Sequence, residues 1–195
     1  MKNDIILAGV GGQGILSIAA IIGYAAVESG LYLKQAEVHG MSQRGGDVQS
    51  HLRLSSEEIF SDLIPMGKAD MIISVEPMES LRYLPYLSPD GWLITNTETF
   101  INIPDYPEKE EVIKEVRKLT NHVALNAGRI ALDIGNKKAA NVVVLGAASP
   151  FIDIPFEKLE NAVSRLFGKK GREVAGLNLE ALRAGRRIAK NDTGK

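Results

Sequence analysis

Asp4-Ile5-Ile6-Leu7-Ala8-Gly9-Val10-Gly11-Gly12-Gln13-Gly14-Ile15 joins a short apolar run to a cluster of glycines. An unbroken apolar run that stops at glycine is the pattern of a strand buried on both faces of a parallel sheet. Residues 15 to 28 follow with Ile, Leu and Ala on nearly every face, which predicts a helix held between the sheet and a second packing surface. Strand, glycine turn and helix across residues 4 to 29 thus predict the opening unit of a Rossmann-like α/β domain.

Working outward, Gly30 stops the helix and residues 31 to 38 alternate weakly enough for a second strand. Residues 47 to 54 place Val48, Ser50, Leu52 and Leu54 against Asp47, Gln49, His51 and Arg53, which predicts an edge or half-exposed strand. Residues 69 to 75 predict another buried strand, and Pro77 suits the first position of a short helix, where a missing N–H costs nothing. A turn at Ser88-Pro89-Asp90-Gly91 leads into a strand over 91 to 96. Val112, Ile113, Val116 and Leu119 recur at helical spacing on a surface helix over 108 to 119. Residues 127 to 148 predict two short buried helices divided at Gly135, and further helices fall at 155 to 167 and about 177 to 190, separated by the polar turn 168 to 172. The expected architecture is one α/β domain over residues 1–190, a mostly parallel sheet flanked by helices with a helical C-terminal segment, and a disordered tail at 191–195.

Composition narrows the functional classes. A chain of 195 residues buries roughly 70% of its unfolded surface and needs no covalent staple. With 24% charged residues and a net charge of -1, it has no electrostatic reason to seek nucleic acid or an anionic membrane. It has no cysteine, so it can hold neither a disulfide nor a cysteine-ligated iron–sulfur cluster, and His39, His51 and His122 show no metal-binding spacing. The longest apolar stretch, 15 to 27, is shorter than the roughly 20 residues that span a bilayer, and Met1 to Asp4 leads straight into a strand. A cytoplasmic protein without membrane contact is expected.

Two segments carry candidate chemistry. Gly9, Gly11 and Gly14 form a GxGxxG pattern after a strand and before a helix, where free N–H groups favour an anion. Phosphate, carboxylate or a partner's backbone could use that turn, and the same glycines equally let the helix pack closely on the strand. A dinucleotide reading also wants an acid at the end of the second strand, where Glu37 stands to accept bonds from ribose hydroxyls. The second segment is His39-Gly40-Met41-Ser42-Gln43-Arg44-Gly45-Gly46. It has no core-forming character, which points to a functional loop, with a solvated hairpin as the alternative. Arg44 beside two glycines suits a phosphate or carboxylate clamp. His51 is expected to be exposed, His122 to lack a partner, and Asn141 to be a hydrogen-bonded core residue. Lys169, Lys170 and Arg172 read as a solvated turn, or one that meets an acidic partner surface.

Gly-Val-Gly-Gly-Gln-Gly-Ile (9 to 15), Glu-Val-His-Gly-Met-Ser-Gln-Arg-Gly-Gly (37 to 46) and Asn-Val-Val-Val-Leu-Gly-Ala (141 to 147) together resemble the gamma-domain family of 2-oxoacid:ferredoxin oxidoreductases, and the resemblance runs over nearly the whole chain. It implies a subunit of a thiamine-diphosphate enzyme that oxidatively decarboxylates an arylpyruvate such as indolepyruvate. Coenzyme A would accept the acyl group, and electrons would pass through iron–sulfur clusters to ferredoxin. The sequence has no Gly-Asp-Gly segment followed by an Asn to hold magnesium diphosphate, so the resemblance places thiamine diphosphate, Mg and 4Fe-4S clusters in a larger alpha subunit. This chain would be inactive alone. Its glycine turn (Gly9, Gly11, Gly12, Gln13, Gly14), Glu37 and the 39–46 loop would complete the partner's active-site mouth, with Ser42, Gln43 and Arg44 making polar contacts there. The alternatives are a gamma subunit for pyruvate, 2-oxoglutarate or ketoisovalerate, an independent NAD- or FAD-binding module, and a purely structural adaptor.

Overall fold

The computed structural model describes residues 1–39 and 45–194, apart from the side chain of His39. Six strands form one sheet: β1 (Lys2–Val10), β2 (Tyr32–His39), β3 (Asp47–Ser55), β4 (Ala69–Ser74), β5 (Leu87–Asn96) and β6 (His122–Leu125). Their spatial order is β2-β3-β1-β4-β5-β6. β1, β4, β5 and β6 pair in parallel, while β3 runs antiparallel to both β1 and β2. Five strands therefore point one way, as a mostly parallel Rossmann-like sheet requires, and β3 alone is reversed.

Seven helices accompany the sheet: α1 (Ile15–Glu28), α2 (Pro77–Arg82), α3 (Lys109–Val116), α4 (Ala127–Asp133), α5 (Ala140–Ala148), α6 (Phe156–Gly168) and α7 (Arg172–Thr193). Alternation along β1 sends Ile5 and Leu7 to one face and Ile6 and Ala8 to the other, and all four are fully buried. Ile5 and Leu7 belong to the larger core with α1 and α5, on whose outer sides α6 and α7 pack. This double coverage explains why α1 and α5 are apolar nearly all round. Ile6 and Ala8 meet a smaller core with Ile64, Tyr83 and Val116, from the β3–β4 connection, the end of α2, and α3.

β3 is interior, not the edge or half-exposed strand its alternation suggested; β2 is the edge on that side. The polar face of β3 looks toward protein. Arg53 Nε donates to Asp4 Oδ1 at 2.7 Å, and its Nη1 donates to the carbonyls of Ser61 and Leu63 at 2.9 and 3.2 Å. His51, expected to be exposed, is 3% exposed; its Nδ1 accepts the Ile64 N–H at 3.0 Å and its ring meets Tyr86 edge-on. Periodicity separates polar from apolar faces, but it cannot tell water from a polar partner.

Burial lowers the His51 pKa from 6.5, with nearby Asp62 opposing the shift and Arg53 adding to it. The folded state therefore binds fewer protons than the unfolded chain near pH 6. Its contribution is complete above about pH 6.5 and is lost as pH falls through the lower folded value. Thermal unfolding between pH 7.5 and 5.5 should show a larger fall in Tm for the wild type than for His51→Asn, whose amide oxygen can still accept the Ile64 N–H; equal falls would remove His51 as the cause.

Three boundaries differ from expectation. The turn at 88–91 lies within β5 as an irregularity, since Ala69 pairs with Leu87 and the next pair is Met71 with Trp92. α7 begins at Arg172 rather than near 177, despite Gly176, and its first turn packs Val174 and Ala175 against the larger core. It also runs to Thr193, into the stretch expected as a disordered tail, and closes on left-handed Gly194. His122, expected to lack a partner, places Nδ1 2.7 Å from the Leu119 carbonyl. Among the described residues no helix is long and apolar enough to cross a membrane.

Candidate functional site at the carboxyl end of the sheet

Gly9, Gly11 and Gly14, at and beyond the end of β1, have different tasks. A Cβ on Gly9 would lie 2.4 Å from Val75 Cγ2 and 2.9 Å from Ile15 Cδ1, so this glycine lets β1, β4 and α1 close together. Gly11 donates its N–H to the Gly46 carbonyl at 2.8 Å and accepts from the Gly45 N–H at 3.4 Å. Gln13 folds back, its Oε1 accepting the Val10 N–H at 2.8 Å while its own N–H donates to the Val10 carbonyl. Gly14, at φ 82°, opens α1 without a side-chain cap. Asn141 Nδ2 donates to the Gly14 carbonyl at 2.9 Å, and a Cβ on Gly14 would lie 2.6 Å from that nitrogen.

The three segments quoted for the resemblance thus meet at one corner. Gly9, Gly11, Gly12, Gln13 and Gly14 form the turn, Gly45 and Gly46 bond to it, and Asn141, buried as expected, braces it from α5. His39 pairs with Val48 through the backbone. Gly40, Met41, Ser42, Gln43 and Arg44 lie outside the described residues.

Glu37 does not take the place a dinucleotide site would give it. β3 lies between β2 and β1, so Glu37 stands two strands from β1, about 10 Å across the sheet. It pairs with Ser50, which pairs with Leu7, and its carboxylate accepts a bond from Gln35 Nε2. The Gly11 N–H, in the middle of the cradle a pyrophosphate would need, is already bonded to Gly46.

Beside the corner a cleft of about 970 Å³ opens over the carboxyl ends of β1, β4 and β5, where the chain leaves β1 and β4 toward opposite faces. Gly12, Gln13, Gly14 and Ser17 line it together with Asn141, which is bonded to Gly14, and Asn178. Asn96 closes the floor: its Nδ2 donates to the Val75 carbonyl at 3.3 Å and its Oδ1 accepts the Ala127 N–H at 3.0 Å. The rim carries Lys137, Lys138 and Lys170 together with Glu98 and Glu173. Lys170, read from sequence as part of a solvated turn, is exposed in a turn and stands on this rim.

Sequence reading missed the group behind the cleft. Glu76, 1% exposed, caps α2 by accepting the Glu79 N–H at 2.8 Å. Its Oε1 also accepts from the Phe100 N–H at 3.2 Å and from the Tyr106 hydroxyl in a short hydrogen bond. Glu79 is buried too; burial raises its pKa, and the bond from Arg82 Nε at 2.8 Å opposes the rise. Tyr83 donates to Asp47 Oδ2 at 3.0 Å. Both tyrosine pKa values are raised, first by burial and then by these hydrogen bonds, so both phenols remain donors. The only local signal was Glu76-Pro77 as a helix start; the loop that supplies Tyr106 has no periodicity. Among the described residues no group of three or more His, Asp or Glu is placed to hold a metal ion.

Comparison with known proteins places this fold and its corner. Residues 4–188 match the family model described as pyruvate ferredoxin/flavodoxin oxidoreductase, and the chain belongs to that family. It is 40% identical to the indolepyruvate oxidoreductase subunit IorB of Archaeoglobus fulgidus, over 95% of this chain and 94% of that one. Two solved structures share the fold. The keto/oxoacid ferredoxin oxidoreductase gamma subunit of Geobacter sulfurreducens has a TM-score of 0.74 at 22% identity, covering 98% of each chain. The 2-oxoglutarate:ferredoxin oxidoreductase of Magnetococcus marinus, solved with 2-oxoglutarate, coenzyme A and succinyl-CoA bound, has a TM-score of 0.77 at 24% identity, covering 97% of this chain and 31% of that longer one.

Proposed function

We propose that this chain is the beta subunit of an indolepyruvate:ferredoxin oxidoreductase, which converts an arylpyruvate to the acyl-CoA by oxidative decarboxylation. The supporting observation is the 40% identity, over nearly the full length of both chains, with an indolepyruvate oxidoreductase subunit. The sequence has no Gly-Asp-Gly segment followed by an Asn for magnesium diphosphate, and without cysteine it cannot ligate iron–sulfur clusters. In this reading thiamine diphosphate, Mg and 4Fe-4S clusters belong to a larger alpha subunit, which also passes electrons to ferredoxin. The beta chain is inactive alone and works in the cytoplasm.

Its own residues complete the site. The corner made by the glycine turn and Gly45-Gly46 covers the partner's active-site mouth, which keeps water from a reactive carbanion. The cleft beside it receives the phosphate-bearing part of coenzyme A, with Lys137, Lys138 and Lys170 on the rim and the start of α1 offering N–H groups. Both roles position and shield; neither needs a proton donor from this chain.

Co-expression with the cysteine-rich partner, followed by viologen reduction with indolepyruvate, phenylpyruvate, pyruvate, 2-oxoglutarate and 2-ketoisovalerate, tests the assignment. Activity should require both chains and coenzyme A, and should be highest with the aromatic substrates. Preference for another acid would reassign the substrate, and no activity on mixing would defeat the reading. Micromolar binding of NAD or FAD by the chain alone, abolished by a bulky residue at Gly11, would favour a dinucleotide module instead. In the active complex, the double variant Lys137→Glu/Lys138→Glu should raise KM for coenzyme A about tenfold at low salt, since exposed charge pairs contribute about 0.2–1 kcal/mol each. KM for the 2-oxoacid should be unchanged.

A further inference from the structure

Residues 97–108 connect β5 to α3 without regular secondary structure. Twelve residues of this kind inside an α/β unit are longer than the connection needs. What fixes the segment is polar. Glu76 binds it twice, through the Phe100 N–H and the Tyr106 hydroxyl, and Asn102 Nδ2 donates to the Gly45 carbonyl at 2.9 Å. Its apolar side chains do the opposite of anchoring: Phe100, Ile101 and Ile103 are 43%, 74% and 38% exposed.

A buried carboxylate is a costly anchor unless all its bonds are made, and here Glu76 also caps α2. Directional hydrogen bonds fix position more sharply than apolar packing does. Asn102 applies that position to Gly45, whose N–H reaches Gly11, while Gly46 bonds the Gly11 N–H. A continuous line of bonds therefore runs from Glu76 through the 97–108 segment to the corner.

We propose that residues 97–108 are a strap that sets where the Gly11–Gly45–Gly46 corner stands beside the cleft, with Asn102 and Tyr106 as positioning residues for the assembled enzyme. The proposal rests on the reading of that corner as one wall of a shared active site. Neither residue touches substrate; each acts through the corner.

Asn102→Ala and Tyr106→Phe test it at two levels. In the full chain, hydrogen exchange at the Gly11 and Gly45 amides should quicken about fivefold, the scale of one net hydrogen bond, while the Ile5 and Ile72 amides keep their rates. In the complex with the partner subunit, KM for coenzyme A should rise about fivefold on the same scale, with kcat within about twofold and the yield of complex unchanged. Asn102→Asp, which loses the donor but keeps the shape, should behave as Asn102→Ala does. Unchanged exchange at Gly11 and Gly45 would overturn the proposal, and so would faster exchange with an unmoved KM. If the wild-type complex shows no 2-oxoacid activity, the functional reading fails instead, and the exchange rates still decide whether the strap holds the corner.

Discussion

Replacing Gly185 with alanine is expected to destabilise the protein by about 3 kcal/mol or more, at or beyond the upper end of ordinary overpacking costs. A Cβ there would lie 1.9 Å from the Val143 carbonyl oxygen and 2.8 Å from the Ala147 nitrogen. These are backbone atoms, so no rotamer change relieves the contact. The reciprocal position behaves alike: a Cβ on Gly146 would lie 2.0 Å from the Leu182 carbonyl oxygen. α5 and α7 are thus in backbone contact through one glycine from each, and either alanine forces the helices apart. At about 2–4 °C per kcal/mol for a domain of this size, Gly185→Ala should lower Tm by about 6–12 °C. If both helices must separate anyway, Gly146→Ala/Gly185→Ala should cost less than the sum of the single variants. A Tm within 2 °C of the wild type for either single variant would mean that the close approach is not required.

The second large effect is expected within the sheet, where Arg53→Met should cost about 3 kcal/mol, the lower end for breaking a buried ion pair. Arg53 meets Asp4 with two nitrogens, at 2.7 and 3.1 Å, and the Asp4 side chain is only 2% exposed. Lys2 Nζ, 2.8 Å from Asp4 but itself largely exposed, keeps the carboxylate partly compensated. The variant also removes the bonds to the Ser61 and Leu63 carbonyls, so protease cleavage should appear between β3 and β4 before global unfolding. The double variant Asp4→Asn/Arg53→Met should recover part of the loss, because no uncompensated carboxylate remains. If it were as unstable as the sum of its parts, the ion pair would not be the source.

What sequence shows and hides follows from how local each signal is. The strand–turn–helix over residues 4 to 29 was legible because its apolar run, glycines and apolar helix are consecutive. So was the stop at Gly135, which takes φ 92°. The insertion of β3 was not legible, because pairing across the sheet joins residues as distant as Lys2 and Ser55 and leaves no mark in either strand alone. That one unseen pairing also separated Glu37 from the turn and so weakened the dinucleotide reading. At the site, the glycine turn announced itself through composition, whereas Glu76, Asn102 and Tyr106 became visible only through their bonds. The glycines of α5 and α7 were hidden differently: a glycine within a helix pattern reads as a small propensity cost, and the backbone it approaches belongs to another helix.

The nine consecutive pairs between β1 and β3, from Lys2 with Ser55 to Val10 with Asp47, have a consequence for how such a protein can change over time. They lock the register of the β2–β3 ribbon from its inner side, independently of the residues that join the two strands. Because β3 is held to β1 along its whole length, side chains on the outer strand β2 can change while the inner register stays fixed. A lineage could thus vary the rim of the sheet while inheriting its centre unaltered.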